Sequence, residues 1–197
     1  MLAVFVVSRI PGLLPVNFSA AYALAFCAGL YFPGALAWWL PLGVMLVTDL
    51  ALNAWYAWHG VPNVFNPSSL LYLLGNYVGY GVLIVLGRRF KARDSWLRLL
   101  SGGVLGALVF YVVTNTLSWI FDPGYTKTIL GWIQALTTGL PGFPSTWTFF
   151  LNTLLSGGLF TGLFVGAMKL STAESPQEKG EKAEEGEEET APGEAKA

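Results

Sequence analysis

The chain has 197 residues, of which 54% are hydrophobic, 15% aromatic and only 12% charged, about half the roughly 25% charged residues of an ordinary soluble domain. The formal net charge of −1 hides two unlike parts: residues 1–170 hold eight Lys and Arg against three acids, Asp49, Asp94 and Asp122, and residues 171–197 hold three Lys against nine Glu. So apolar a body excludes a water-soluble monomer, and a lone Cys27 and a lone His59, far apart, exclude an intramolecular disulfide and a zinc site.

A hydrocarbon core of roughly 30 Å takes about 20 apolar residues per helix, and several stretches qualify. Residues 2–14 are apolar but short, interrupted by Arg9 and Pro11, and read as the end of a helix that begins upstream. Residues 18–32 form a second span, stopped by Pro33-Gly34, and 35–57 a third, rich in Trp. Spans follow over 70–87, 98–120 and 146–169. Between the last two, Thr128 to Leu140 is too short to cross and predicts a re-entrant or interfacial helix, with Trp132 at headgroup level, broken by Pro141 and Pro144. The expected fold is all-α: a polytopic membrane domain over residues 1–170, with about six transmembrane helices. The tail from 171 to 197 has no large apolar residue, cannot bury enough surface to offset chain entropy, and is expected to be disordered and acidic.

Basic residues set the orientation. Arg88, Arg89, Lys91, Arg93 and Arg98 cluster between the fourth and fifth spans, so that loop is cytoplasmic by the positive-inside rule. With six spans both termini are cytoplasmic, and Lys169 falls at the inner end of the last. The expected location is the inner (plasma) membrane.

The polar residues within the spans then fall at one level. Asp49 lies roughly 21 Å along its helix from the inner end, and Asn53 is one turn further on the same face. Tyr72, Asn76 and Tyr80 form an i, i+4, i+8 stripe, as do Tyr111, Asn115 and Trp119; Asn152 and Ser156 repeat the i, i+4 spacing. All lie in the outer halves, whereas the inner halves are mostly Leu, Val, Ala, Gly and Phe. An Asp or Asn facing lipid costs a few kcal/mol, so such residues turn toward the bundle interior or a wet cavity. A few polar groups among aromatic walls make a small-molecule site. Taken singly, an intramembrane Asn is more often interhelical glue than a ligand contact, and Asp49 serves equally as a paired or protonated group. Gly75, Gly79, Gly81, Gly102, Gly103 and Gly106 read as close helix packing.

No Walker motif, GxSxG, HExxH or suitably spaced carboxylate pair is present, so neither an ATPase nor another enzyme is expected. No catalytic residue, metal ligand or cofactor is predicted. The basic loop 88–98 is a topology determinant able to touch anionic lipid, not a nucleic-acid patch.

At "LPVNFSAAYALAFCAGLYF" and "WLPLGVMLVTDLALN" the sequence resembles an uncharacterised bacterial family of membrane transport proteins. Pro15, Asn17, Phe18, Ser19, Ala23 to Phe26, Gly29, Pro41 and Asp49 carry the likeness, then Thr114, Asn115, Trp119, Gly131 and Pro141. It spans nearly all of residues 13–165. Ala20 and the insertion of Gly142 between Pro141 and Phe143 depart from the family pattern. That family is similar, more distantly, to the S components of energy-coupling-factor (ECF) transporters. The resemblance implies a six-helix subunit that captures a vitamin-like molecule or a metal ion from the outer face and docks on a separate energising module. On this reading Asp49, Asn53, Asn76, Asn115 and Asn152 contact the ligand, Asn17 and Ser19 sit in a gating outer loop, and Tyr72 and Trp119 form apolar walls. The expected partners are membrane lipids, a small-molecule solute and that module. Two alternatives are a scaffolding membrane protein, in which the polar residues only join helices, and an enzyme on lipid-linked substrates with Asp49 as acid or base.

Overall fold

A computed structural model describes the backbone of residues 1–188 and the side chains of residues 1–172 apart from Ser68. The described residues form helices only: α1 (Leu2–Ser8), α2 (Ala21–Tyr31), α3 (Leu36–Trp58), α4 (Pro67–Gly87), α5 (Trp96–Phe121), α6 (Ile129–Leu136) and α7 (Thr146–Glu188). Four stretches are long and apolar enough to cross a membrane: Leu36–Trp58, Ser69–Gly87, Trp96–Phe121 and Thr146–Thr172.

The caps follow from local chemistry. The Asn66 side chain accepts from the Ser69 amide with Pro67 just inside α4, and Ser95 accepts from the Arg98 amide at the start of α5. Thr128 caps α6 through the Gly131 amide. Gly34, at φ +53°, makes the turn between α2 and α3.

The two expected spans nearest the N-terminus are short. α1 has 7 residues and α2 has 11, below the length a bilayer asks of a single helix. α1 stops before Arg9 and Pro11, and helix resumes only at Ala21, so residues 9–20 cross the end of the bundle without regular structure. α2 is instead the central strut. Every residue from Ala21 to Gly29 is buried, against α3, α4, α5 and α7, and a helix apolar on all sides belongs in a core.

Small residues let the neighbours close on it. A Cβ on Gly29 would lie 2.1 Å from the Ile84 carbonyl oxygen, and one on Gly87 would lie 2.1 Å from that of Phe26. The α2–α4 crossing is therefore backbone against backbone. Gly103 of α5 seats the Thr161 side chain of α7 in the same manner.

α6 is the short helix expected after α5, with Trp132 donating to the Thr116 hydroxyl at 2.9 Å. α7 is helical through Glu188, beyond the expected domain boundary at 170; its Glu, Lys and Ala are good helix formers. Residues 189–197, the remainder of the expected disordered tail, lie outside the described residues.

Candidate functional site: a polar cavity at one end of the bundle

The helix ends remote from the Arg88–Arg98 loop do not close on one another. α3 packs on α2 and α4, and α5 packs on α4 and α7. A cavity of about 760 Å³ opens between the second half of α3, the first half of α4 and the second half of α5. Residues 8–19 form one side of it, and Phe149 and Thr153 of α7 another part. Its volume falls in the range of small-molecule sites, roughly 300–1,000 Å³.

Helical spacing brings the polar groups in. Asp49 and Asn53 are one turn apart on α3, as are Tyr72, Asn76 and Tyr80 on α4 and Tyr111 and Asn115 on α5, and all of them line the cavity. Asn17 and Ser19 line it from the N-terminal loop. Asn17 adopts φ +61°, a left-handed conformation that Asn tolerates better than most residues, and its carbonyl accepts from the Tyr22 hydroxyl at 3.2 Å. Ser19 is buried beside Ser8, whose hydroxyl accepts from the Ala20 amide at 3.1 Å.

Asp49 is fully engaged. Arg9 forms an ion pair with one carboxylate oxygen, and the Tyr77 hydroxyl donates to the other at 2.9 Å. The pair lines the cavity as a neutral unit, with Asp49 buried and Arg9 partly so. The Nε of Arg9 is buried without an acceptor. The other carboxylate in the cavity wall, Asp122, lies just past the end of α5. It accepts from the Tyr72 hydroxyl and, at 2.7 Å, from the Gly124 amide. Lys127 donates to the Asp122 main-chain oxygen at 2.6 Å. Nearby, burial and the Asp122 charge raise the Tyr125 hydroxyl above its ordinary pKa.

The amides behave differently. Among the described residues, neither Asn53 nor Asn76 has a side-chain hydrogen bond to protein, although both line the cavity. Asn115 donates from its side-chain nitrogen to the Tyr111 carbonyl at 2.8 Å, and its side-chain oxygen receives no protein donor. Beside them lies an aromatic cluster: Tyr80 stacks on Phe110 with centroids 5.0 Å apart, and Tyr22 meets Phe110 edge-on at 4.9 Å.

Two residues expected in the site lie elsewhere. The Asn152 side chain donates to the Val16 carbonyl at 2.9 Å, tying the N-terminal loop to α7, and does not border the cavity. Its neighbour Thr153 faces the cavity instead, because a helix turns about 100° per residue. Trp119 donates its indole N–H to the Thr126 carbonyl at 2.9 Å and lies in a separate shallow groove with Lys127 and Trp132.

Arg9, Tyr77 and Asp122 escaped the sequence reading. Arg9 looked like a helix breaker, Tyr77 fell outside the i, i+4 stripe of α4, and Asp122 fell in a connecting segment. The unmatched Asp49 was the one available signal, since a carboxylate among apolar residues needs a cationic or donor partner. Among the described residues no three His, Cys, Asp or Glu side chains gather as a metal site would require.

The four long apolar helices and this solute-sized polar hollow define a helical membrane protein with a cavity at one end of its bundle. The chain belongs to a family of unknown function, DUF6580, whose model matches residues 1–178. No curated protein and no solved structure matches it.

Proposed function

We propose that the protein captures a small solute in this cavity as the substrate-binding subunit of a membrane transporter, in the manner of the S components it distantly resembles. One observation carries the reading. Asn53, Asn76 and Asn115, from three different helices, border one solute-sized cavity with hydrogen-bonding capacity that no group among the described residues uses. Residues that served only to join helices would spend that capacity on one another. The positive-inside rule puts the Arg88–Arg98 loop in the cytoplasm, so the cavity faces the outer side of the plasma membrane. In that orientation α4 runs inward, α5 outward and α7 inward, toward a cytoplasmic C-terminal segment. Six crossings with both termini inside count α2 as a crossing shielded within the bundle and α1 as a short one with Val4, Val6 and Val7 exposed. The protein performs no covalent chemistry; transport draws on a separate energising module.

A scaffolding reading finds support in a different set of contacts, since Asp49 with Arg9 and Tyr77, and Asn152 with Val16, are committed to packing. The enzyme reading would take as its acid or base a carboxylate that is held by Arg9 and Tyr77.

The test is a thermal-shift screen of the purified protein in detergent against small organic solutes and divalent metals. Capture predicts a compound that raises the melting temperature of the parent protein and does so much less in Asn53→Ala and Asn76→Ala, both of which still accumulate in the membrane. If both variants fail to accumulate, the amides are structural and the scaffolding reading takes over.

A further inference from the structure

The chemistry of the cavity wall narrows what it can hold. Resting on the capture reading above, we infer that the ligand is a planar aromatic molecule that is not an anion and bears an amide-type edge, that is, a carbonyl acceptor beside an N–H donor.

Three observations select this class. The first is charge. The described residues that line the cavity include only three ionised side chains, Arg9, Asp49 and Asp122. Arg9 and Asp49 neutralise each other, and each oxygen of both carboxylates already accepts from a protein donor. The Asp122 carboxylate accepts only from neutral donors, so the wall as a whole leans negative. An anion would meet an arginine whose charge is already matched, in a cavity that also contains Asp122. It would lose hydration there without a free counter-charge, which costs several kcal/mol where water is excluded.

The second is hydrogen bonding. Asn53 and Asn76 each offer a carbonyl acceptor and an NH2 donor with no protein partner, and Asn115 offers its oxygen. A carboxamide presents donor and acceptor side by side. Its complement is another amide edge, which it engages through two parallel hydrogen bonds, as Asn does with adenine. Filling the cavity with a purely apolar ring would strip these amides of water without replacement.

The third is the wall itself. Tyr56, Tyr72 and Phe121 line the cavity and are exposed; Tyr22, Tyr80 and Phe110 also line it but are buried against one another. Such rings favour another aromatic ring against them, face-on or edge-on.

The class can be tested without knowing the natural solute. Ser118 lines the cavity on α5 and is partly exposed, so Ser118→Cys places a thiol there; native Cys27 is fully buried and stays silent. A membrane-impermeant maleimide added to the full-length variant reports access to the cavity. Two probes of one shape and two charges are then compared as protectants: 2-naphthamide and the anion 2-naphthoate. The expected result is rapid labelling that 2-naphthamide slows at least tenfold better than 2-naphthoate, with that protection lost in Asn53→Ala or Asn76→Ala backgrounds that still elute as a single species. Equal or better protection by 2-naphthoate, or no protection by 2-naphthamide at its solubility limit, overturns the ligand class while leaving an open cavity in place. Absence of labelling at Ser118→Cys is a different failure, because it removes the accessible cavity and the capture reading with it.

Discussion

Arg9, in the break after α1, reaches across the end of the bundle to pair with Asp49 on α3, 40 positions along the chain. Tyr77 of α4 completes the coordination of the carboxylate. Three segments thus meet at one polar node on α3, a helix that makes no substantial contact with α5 or α7. Removing one partner leaves the other as an uncompensated, partly buried charge. We expect Arg9→Gln and Asp49→Asn each to destabilise the protein by about 3 kcal/mol, at the low end for a buried pair. The double variant should lose less than the sum of the two. A double-mutant cycle on unfolding in detergent measures this, and strictly additive losses would show the two side chains to be independent.

That node also changes what Asp49 can tell about binding. A change at Asp49 reports on the fit of α3 before it reports on any solute, so the amides of Asn53 and Asn76 are the cleaner probes. Asn152 is the converse case. Its contact with Val16 holds the N-terminal loop. Asn152→Ala should cost about 1 kcal/mol, the net worth of an ordinary hydrogen bond, and should speed proteolysis within residues 10–18. Loss of solute stabilisation with unchanged loop proteolysis would instead make Asn152 a ligand contact.

What the sequence made legible, and what it hid, follows from the range of the interactions involved. The i, i+4 rows of α3, α4 and α5 can be counted directly, so the common level of Asn53, Asn76 and Asn115 was readable from spacing and an inner-end reference alone. The facing direction of a single residue was not. Asn152 and Thr153 differ by one step of rotation, and only the packing of α7 decides which meets the cavity. α2 was hidden for another reason: a helix buried in protein and a helix bathed in lipid are equally apolar, and hydropathy does not separate them. The Arg9–Asp49 pair is a long-range contact with no periodic trace, so the sequence shows that Asp49 needs a partner but not which residue supplies it.

The backbone-to-backbone crossing of α2 and α4 yields a sharp contrast between glycines. Gly87→Ala would drive a methyl against the Phe26 carbonyl oxygen, 2.1 Å from where the Cβ must sit, and main chain cannot swing aside as a flexible side chain can. We expect at least about 3 kcal/mol of destabilisation, the upper end for overpacking, seen as loss of membrane accumulation. Gly43→Ala in α3 meets nothing within 4 Å. There the gain in helix propensity, about 1 kcal/mol, should leave the melting temperature unchanged or higher. Equal tolerance at both positions would refute the close crossing.

Cys27 supplies a reporter of that same core. It is the sole cysteine, it is 0% exposed, and it sits within the buried run from Ala21 to Gly29 of α2 among residues of the central cluster. Maleimide can reach it only when α2 leaves its neighbours, so its labelling rate measures opening of the core and not of the cavity. In the folded protein Cys27 should react at least a thousandfold more slowly than in denaturant, the ratio expected when opening costs about 4 kcal/mol or more. Gly87→Ala should accelerate this labelling, because it loosens the α2–α4 contact, whereas Asn53→Ala should not, because the cavity lies at one end and leaves α2 seated. Rapid labelling of the native protein would mean that α2 is open to solvent or lipid-borne reagent, and the central strut on which the placement of Asn53, Asn76 and Asn115 depends would be lost.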